Sequence, residues 1–184
     1  MTKTAVVLFN LGGPDSLDAV EPFLFNLFSD PAIIRLPRLL RHFIAKQISR
    51  RRAPIAQEIY RQIGGKSPIV KQTKAQAEAL EAALSDLGEV RVFIAMRYWN
   101  PRSDVTAIEV KGYAPDRVML LPLYPQFSTT TTKSSLVDWY QAAKNIGLTS
   151  PQITSSALCC YATSQGLIAA QSELIKPLLS AAVA

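Results

Sequence analysis

Three short, nearly unbroken apolar runs constrain this chain most: roughly 4–9 (TAVVLF), 90–96 (VRVFIAM) and 117–123 (RVMLLPL). Runs of this length, rich in β-branched residues and lacking strict alternation, fit strands covered on both faces. A fourth, weaker run spans 152–158 (QITSSAL). Helical periodicity lies between them. Ser67-Pro68 reads as an N-cap with proline at the first helical position, after which Ile69, Thr73, Ala77, Leu80, Leu84 and Leu87 share a face. Residues 133–146 place Leu136, Trp139, Tyr140, Ala143 and Ile146 together, and Gly147 is the expected stop. A third pattern fills 164–180, with Pro177 expected to kink or end it. Strands alternating with helices require right-handed crossovers. The expected fold is therefore α/β, a Rossmann-like four-stranded parallel sheet with helices on both faces, in one domain over 1–184.

The stretch 20–66 interrupts this rhythm. It contains Pro31, Pro37 and Pro54, which predicts two or three short helices rather than one. Phe23, Leu24, Phe25, Leu27 and Phe28 precede Leu36, Leu39, Leu40, Phe43 and Ile44. Between Arg35 and Arg52 stand seven cationic residues and no acidic one. Two readings stay open: a helical cover on the sheet, or an apolar, basic lip that touches membrane and guards a pocket.

At 48% hydrophobic and 18% charged residues, the chain is not disordered. No apolar stretch approaches the ~20 residues of a membrane-spanning helix, and Met1-Thr2-Lys3 leads directly into the first strand without a signal pattern. The two cysteines, Cys159 and Cys160, are adjacent, form no disulfide framework and fit a reducing cytosol. The expected location is thus cytoplasmic, peripheral to a membrane if the basic lip binds one. A net charge of +6 calls for acidic partners: nucleic acid, an anionic membrane or a small polyanion. There is no phosphate-binding glycine fingerprint and no basic patch interleaved with aromatics, so nucleic acid is not expected.

In open parallel sheets, ligands bind beyond the carboxyl ends of the strands. Asn10-Leu11-Gly12-Gly13-Pro14-Asp15 follows the first strand, and its paired glycines permit either a plain turn or close approach to a ligand. Met96-Arg97-Tyr98-Trp99-Asn100-Pro101 follows the second; an arginine among aromatics suits a planar, carboxylate-bearing ligand or a capped turn with Trp99 inward. After the third come Leu123-Tyr124-Pro125-Gln126-Phe127-Ser128, Thr129 to Thr132, Lys133, Ser134 and Ser135. Those seven hydroxyls around one cation can serve an anionic group or cap the next helix.

These segments, with Arg51-Arg52-Ala53-Pro54, Tyr60 and Ile63-Gly64-Gly65-Lys66-Ser67-Pro68-Ile69, resemble ferrochelatase in order and over nearly the whole chain. The resemblance implies the first of two similar Rossmann-like halves that hold a porphyrin between them. It also implies a lyase of haem biosynthesis that inserts ferrous iron into protoporphyrin IX or coproporphyrin III. Carried over by motif, Leu11 faces the porphyrin near the metal path. Arg52, Tyr60 and Ser67 line the mouth and meet propionates. Arg97 and Tyr98 lie on the metal-entry side, and Ser128 and Thr130 form the wall near the pyrrole rings.

The same resemblance places the family's catalytic histidine, in a Ser-Ala-His motif, and a following glutamate beyond Ala184, so no catalytic residue is assigned here. The single histidine, His42, lies among Leu39, Leu40, Arg41 and Phe43 and is assigned a surface or packing role. The family's Thr-Thr-Gly-Ser-Ser appears as Thr131-Thr132-Lys133-Ser134-Ser135, which either restricts a turn or is a surface change. Some relatives hold an iron–sulfur cluster through a cysteine where Thr129 stands; no cluster and no resident metal are expected, iron being substrate. A bare cleft face, without the second half against it, is expected to favour self-association.

Overall fold

The computed structural model describes residues 2–148 and 153–183. Strand β1 (Lys3–Asn10) is followed by helices α1 (Val20–Phe28), α2 (Arg38–Gln62) and α3 (Ile69–Ala83), a short 3-10 turn, and β2 (Glu89–Met96). Then come α4 (Ser103–Tyr113), β3 (Arg117–Pro122), a π turn (Thr129–Lys133), α5 (Ser134–Asn145), β4 (Thr154–Ala157) and α6 (Gln165–Val183). The sheet order is β2-β1-β3-β4 and every pairing is parallel, with Val6 opposite both Val92 and Met119. Fold class and all four strands follow the sequence reading, although Gln152, within the fourth predicted run, lies outside the described residues.

Side chains alternate across the pleat, so β1 feeds two cores. Ala5, Val7 and Phe9 pack with Phe93, Val118 and Leu120 against Ala107 and Val110 of α4 and Trp139 and Ala143 of α5. Phe9 and Trp139 meet edge to face at 5.7 Å. Val6 and Leu8 point the other way, to Ala77 and Leu80 of α3 and to Leu84 just past its end.

Helix ends obey local chemistry. Ser67 Oγ accepts from the Ile69 amide at 3.3 Å, a bond of the kind expected at the start of α3, although the helix begins one residue later than the sequence suggests, with Pro68 in the N-cap place. Past α5, Gly147 takes φ +70 while Leu148 N–H donates to the Ala143 carbonyl, so the predicted stop is present. Two expectations need correcting. The 20–66 excursion holds two helices, but the second is not short: α2 runs 25 residues straight through Pro54. Its buried residues Ala45, Ser49 and Ala53 form a small-residue stripe at four-residue spacing. Packing along that stripe compensates for the amide proline removes. Likewise Pro177 does not end α6, which continues to Val183.

Candidate functional site

Loops from the carboxyl ends of β1, β2 and β3 converge, and the strands' own hydrogen bonding continues into them. Arg97 N–H donates to the Asn10 carbonyl at 2.8 Å, Tyr98 N–H to Leu11 at 2.9 Å, and Leu123 N–H to Phe9 at 2.8 Å. Leu11 is thereby set directly beside Arg97 and Tyr98. The glycine pair before Pro14 serves protein contact rather than open space. A Cβ on Gly12, at φ +81, would lie 3.0 Å from Trp99 Cβ; one on Gly13 would lie 2.4 Å from Ser67 Oγ. Ser67 N–H in turn donates to the Pro14 carbonyl at 2.8 Å. These contacts bring Ser67 to the end of β1 from more than fifty positions further along the chain than Pro14.

At the centre lies a carboxylate that the sequence reading missed. Asp30, in the turn after α1, is 4% exposed. Its Oδ2 accepts from Arg97 Nη2 and from the Tyr98 hydroxyl, each at 2.9 Å, and from the Ser134 hydroxyl. Oδ1 accepts from the Ala32 amide at 2.7 Å. Arg97 Nε donates to Ser134 Oγ at 2.7 Å, and its Nη1 lies 3.4 Å from Asp138. The Tyr98 hydroxyl also stands 3.3 Å from the Thr130 carbonyl, while Ser128 and Thr130 share a 2.9 Å hydroxyl contact. One carboxylate therefore binds the α1–α2 connection, the loop after β2 and the start of α5 to one another. Ser29-Asp30-Pro31 reads in sequence only as a helix-stopping turn; nothing local signals that its charge is buried.

Burial pushes the Asp30 carboxyl upward, but the Ser134, Ala32, Arg97 and Tyr98 donors outweigh it and hold the group below its ordinary value. Tyr98, wholly buried beside that anion, is pushed far up, first by desolvation and then by Asp30. Burial also raises Tyr60, and it pushes Tyr124, whose hydroxyl meets Ser135 Oγ at 3.3 Å, up to about 12. The two tyrosines among the eight predicted residues, Tyr60 and Tyr98, are thus both shifted toward the protonated phenol.

Leu11, Arg97, Tyr98, Ser128 and Thr130 form one connected group, with Ser67 joined through Gly13 and Pro14. Within it Tyr98 is a buried brace, and Arg97 is largely consumed by its acidic partners. Arg52 and Tyr60 stand apart on α2, Arg52 exposed with its guanidinium 5.9 Å from the Phe28 ring. A cavity of about 770 Å³ opens beside the group, lined among others by Gly13, Lys66, Ser67, Lys71, Trp99 and Asn100. Ser67 alone of the eight lines it. Lys133 has ordinary helical angles (φ -63, ψ -44) and is exposed, so the family's glycine at that place is not needed for the turn. His42 lies exposed and edge-on to Phe25 at 4.8 Å, a packing position.

Comparison with known proteins agrees over the same span. A family model described as Ferrochelatase matches residues 3–183. The chain is 52% identical over 177 residues to the ferrochelatase of Phenylobacterium zucineum, covering 95% of this chain and 50% of that protein. To that of Pelagibacter ubique it is 48% identical over 178 residues, covering 95% and 51%. To that of Wolbachia sp. subsp. Drosophila simulans it is 51% identical over 175 residues, covering 94% and 55%. The chain spans about half the length of the curated relatives it matches.

Proposed function

The chain belongs to the ferrochelatase family, and from that premise we propose that it supplies the porphyrin-holding wall of a site that inserts ferrous iron into a porphyrin for haem synthesis. Porphyrin and ferrous iron are substrates in this reading, protoporphyrin IX and coproporphyrin III being equally compatible with it. The observation that carries it is the rigid floor built at the sheet's end. Backbone ladders, the Gly13–Ser67 contact and the Asp30 cluster fix Leu11, Ser67, Ser128 and Thr130 relative to one another.

Metal insertion requires a planar macrocycle to bend until its pyrrole nitrogens address the metal, then to release two N–H protons. A wall that does not yield can convert binding energy elsewhere on the ligand into such distortion, at about 1–5 kcal/mol. Arg52 and Tyr60 on α2, with Ser67 at its loop, provide polar contacts suited to propionates at one edge. Leu11 provides an apolar contact suited to the ring. Deprotonation of the ring is assigned to residues outside this set, and the chain alone is expected to bind rather than turn over.

Absorbance spectroscopy with zinc and a soluble porphyrin tests this. A Soret shift on adding the 184-residue chain, without zinc insertion, is the expected result. Insertion above background would place a base within the chain, and an unmoved Soret band would remove the binding role.

The reading extends to surroundings. Leu39, Leu40 and Phe43 are exposed on α2 beside Arg38 and Lys46, which supports peripheral contact of a cytoplasmic protein with an anionic membrane. Among the described residues no helix is long and apolar enough to cross one. Failure to sediment with anionic liposomes at low salt would count against that contact. Threonine at 129 supports a protein without a resident iron–sulfur cluster; iron and sulfide analysis of purified protein checks it.

A further inference from the structure

The loop after β4 carries two reactive groups for which the site above has no use. Cys159 and Cys160 are both exposed, and their sulfurs lie 3.2 Å apart. Among the described residues no three His, Cys, Asp or Glu side chains gather as a metal site, and two thiolates leave a zinc or cluster ligand set incomplete. What remains to the pair is thiol chemistry.

Their loop is fastened to the candidate site. Leu158 N–H donates to the Leu120 carbonyl and Tyr161 N–H to the Pro125 carbonyl, both at 2.9 Å. The Tyr161 hydroxyl donates to the Pro122 carbonyl at 3.1 Å. Pro122 to Pro125 leads directly into Ser128 and Thr130. The peptide joining the two cysteines is therefore one residue from the bond that holds this segment in place.

We propose that Cys159–Cys160 is a reversible redox-modification site. A low-molecular-weight disulfide oxidises the pair to a vicinal disulfide, and the change loosens the Pro125–Thr130 segment. One cysteine thiolate attacks a sulfur of the disulfide RSSR; its S–S bond breaks and RS⁻ departs, taking up a proton. The neighbouring thiol, deprotonated to solvent, then attacks the protein sulfur of the mixed disulfide and expels the second RS⁻. Two protein thiols lose two electrons and two protons, and RSSR becomes two RSH. With the sulfurs already 3.2 Å apart, the second step is intramolecular and outruns arrival of another reagent molecule.

Closure has a mechanical consequence. Across a trans peptide the Cα atoms are about 3.8 Å apart, short of the roughly 4.4–6.8 Å that disulfides ordinarily span. The 159–160 peptide must distort, and the distortion reaches Tyr161 and its bond to Pro125. A bond formed under such constraint is readily reversed by thiol. Only the importance given to Ser128 and Thr130 rests on the ferrochelatase reading; the thiol chemistry and its coupling to the loop do not.

The test treats the 184-residue chain with oxidised glutathione, then measures intact mass without reductant and hydrogen exchange across 125–131. The expected product is a monomer lighter by two hydrogens, with exchange at the Thr130 amide faster by at least threefold and both changes reversed by dithiothreitol. Cys160→Ser and Cys159→Ser should each stop at a glutathione adduct with unchanged exchange. A lasting adduct on the unaltered chain, a disulfide-linked dimer, or a vicinal disulfide with unchanged exchange would each overturn the proposal. A Soret titration of the reduced and oxidised chains separates the two readings. Absence of porphyrin binding in both would sink the proposed function and leave this site standing.

Discussion

A buried carboxylate with four donors is the residue on which the site's geometry turns, and its replacement discriminates between charge and shape. Asp30→Asn keeps the volume but leaves Arg97 facing a neutral amide within a largely dry cluster, with Asp138 as its remaining anion at 3.4 Å. Breaking such a pair by removing one partner costs about 3 kcal/mol, so the denaturant midpoint should fall markedly; a loss under about 1 kcal/mol would deny the cluster its role. The pH dependence follows from the direction of the shift. Asp30 has a folded pKa below its unfolded value, so its contribution is fully present above the unfolded carboxylate pKa of about 4. It is lost as pH falls through the folded value. Acid titration of the parent should show an unfolding step in that window, and the Asn variant should lack it. Gly13 offers a second residue-scale test. Gly13→Ala drives a methyl to 2.4 Å from Ser67 Oγ, with an expected cost of about 1–3 kcal/mol. Pairing it with Ser67→Gly should recover much of that loss in thermal melts; simple addition of the two penalties would show that the contact is not the cause.

Helices end here by backbone rules, and one of them ends against its own sequence. Ala114, at the C-cap of α4, holds φ 52 with its amide bonded to the Lys111 carbonyl, a conformation in which an L-residue meets its own carbonyl. Its side chain is exposed, so Ala114→Gly sacrifices no packing. The strain relieved exceeds the entropy glycine adds to the unfolded chain, and stability should rise by about 0.5–1 kcal/mol in a calorimetric melt. A neutral or lower melting temperature would contradict that accounting. The same scale shows what sequence could reveal. The three apolar runs, the Ser67 cap and the Gly147 stop are each dictated by neighbours within a few residues, and all were legible. Pro54 misled because the local penalty of a proline was outweighed by packing along a whole helix, which no window of sequence displays; α6 is exposed along most of its length, and no packing explains why Pro177 does not end it. Asp30 escaped for a related reason: its partners at 97, 98 and 134 are brought to it only by the fold.

At the scale of the molecule, burial is uneven in a way a parallel sheet does not ordinarily tolerate. Helices α4 and α5 cover one face, while on the other α3 packs over β1 and β2 and leaves Met119 of β3 at 40% exposed, beside exposed Thr154 and Ser156 of β4. Helix α6 carries a matching excess: Leu174 and Leu178 are more than 70% exposed, with Ile175 and Leu179 above 50%. These spacings of three and four put them along one stripe. Parallel sheets are stable when both faces are covered, and contiguous apolar surface in water drives association. The sequence reading expected association through the cleft face; exposed apolar area also lies on the β3–β4 face and on α6. A second copy of the chain can cover such a surface, so light scattering should show mass rising with concentration. Leu174→Glu with Leu178→Glu should hold the chain monomeric without lowering its melting temperature, because neither side chain contributes to a core. A parent that stays monomeric throughout would show that α6 is covered from within its own chain. A double variant that melts earlier would show the same, since charges placed on a free surface do not destabilise the fold beneath it.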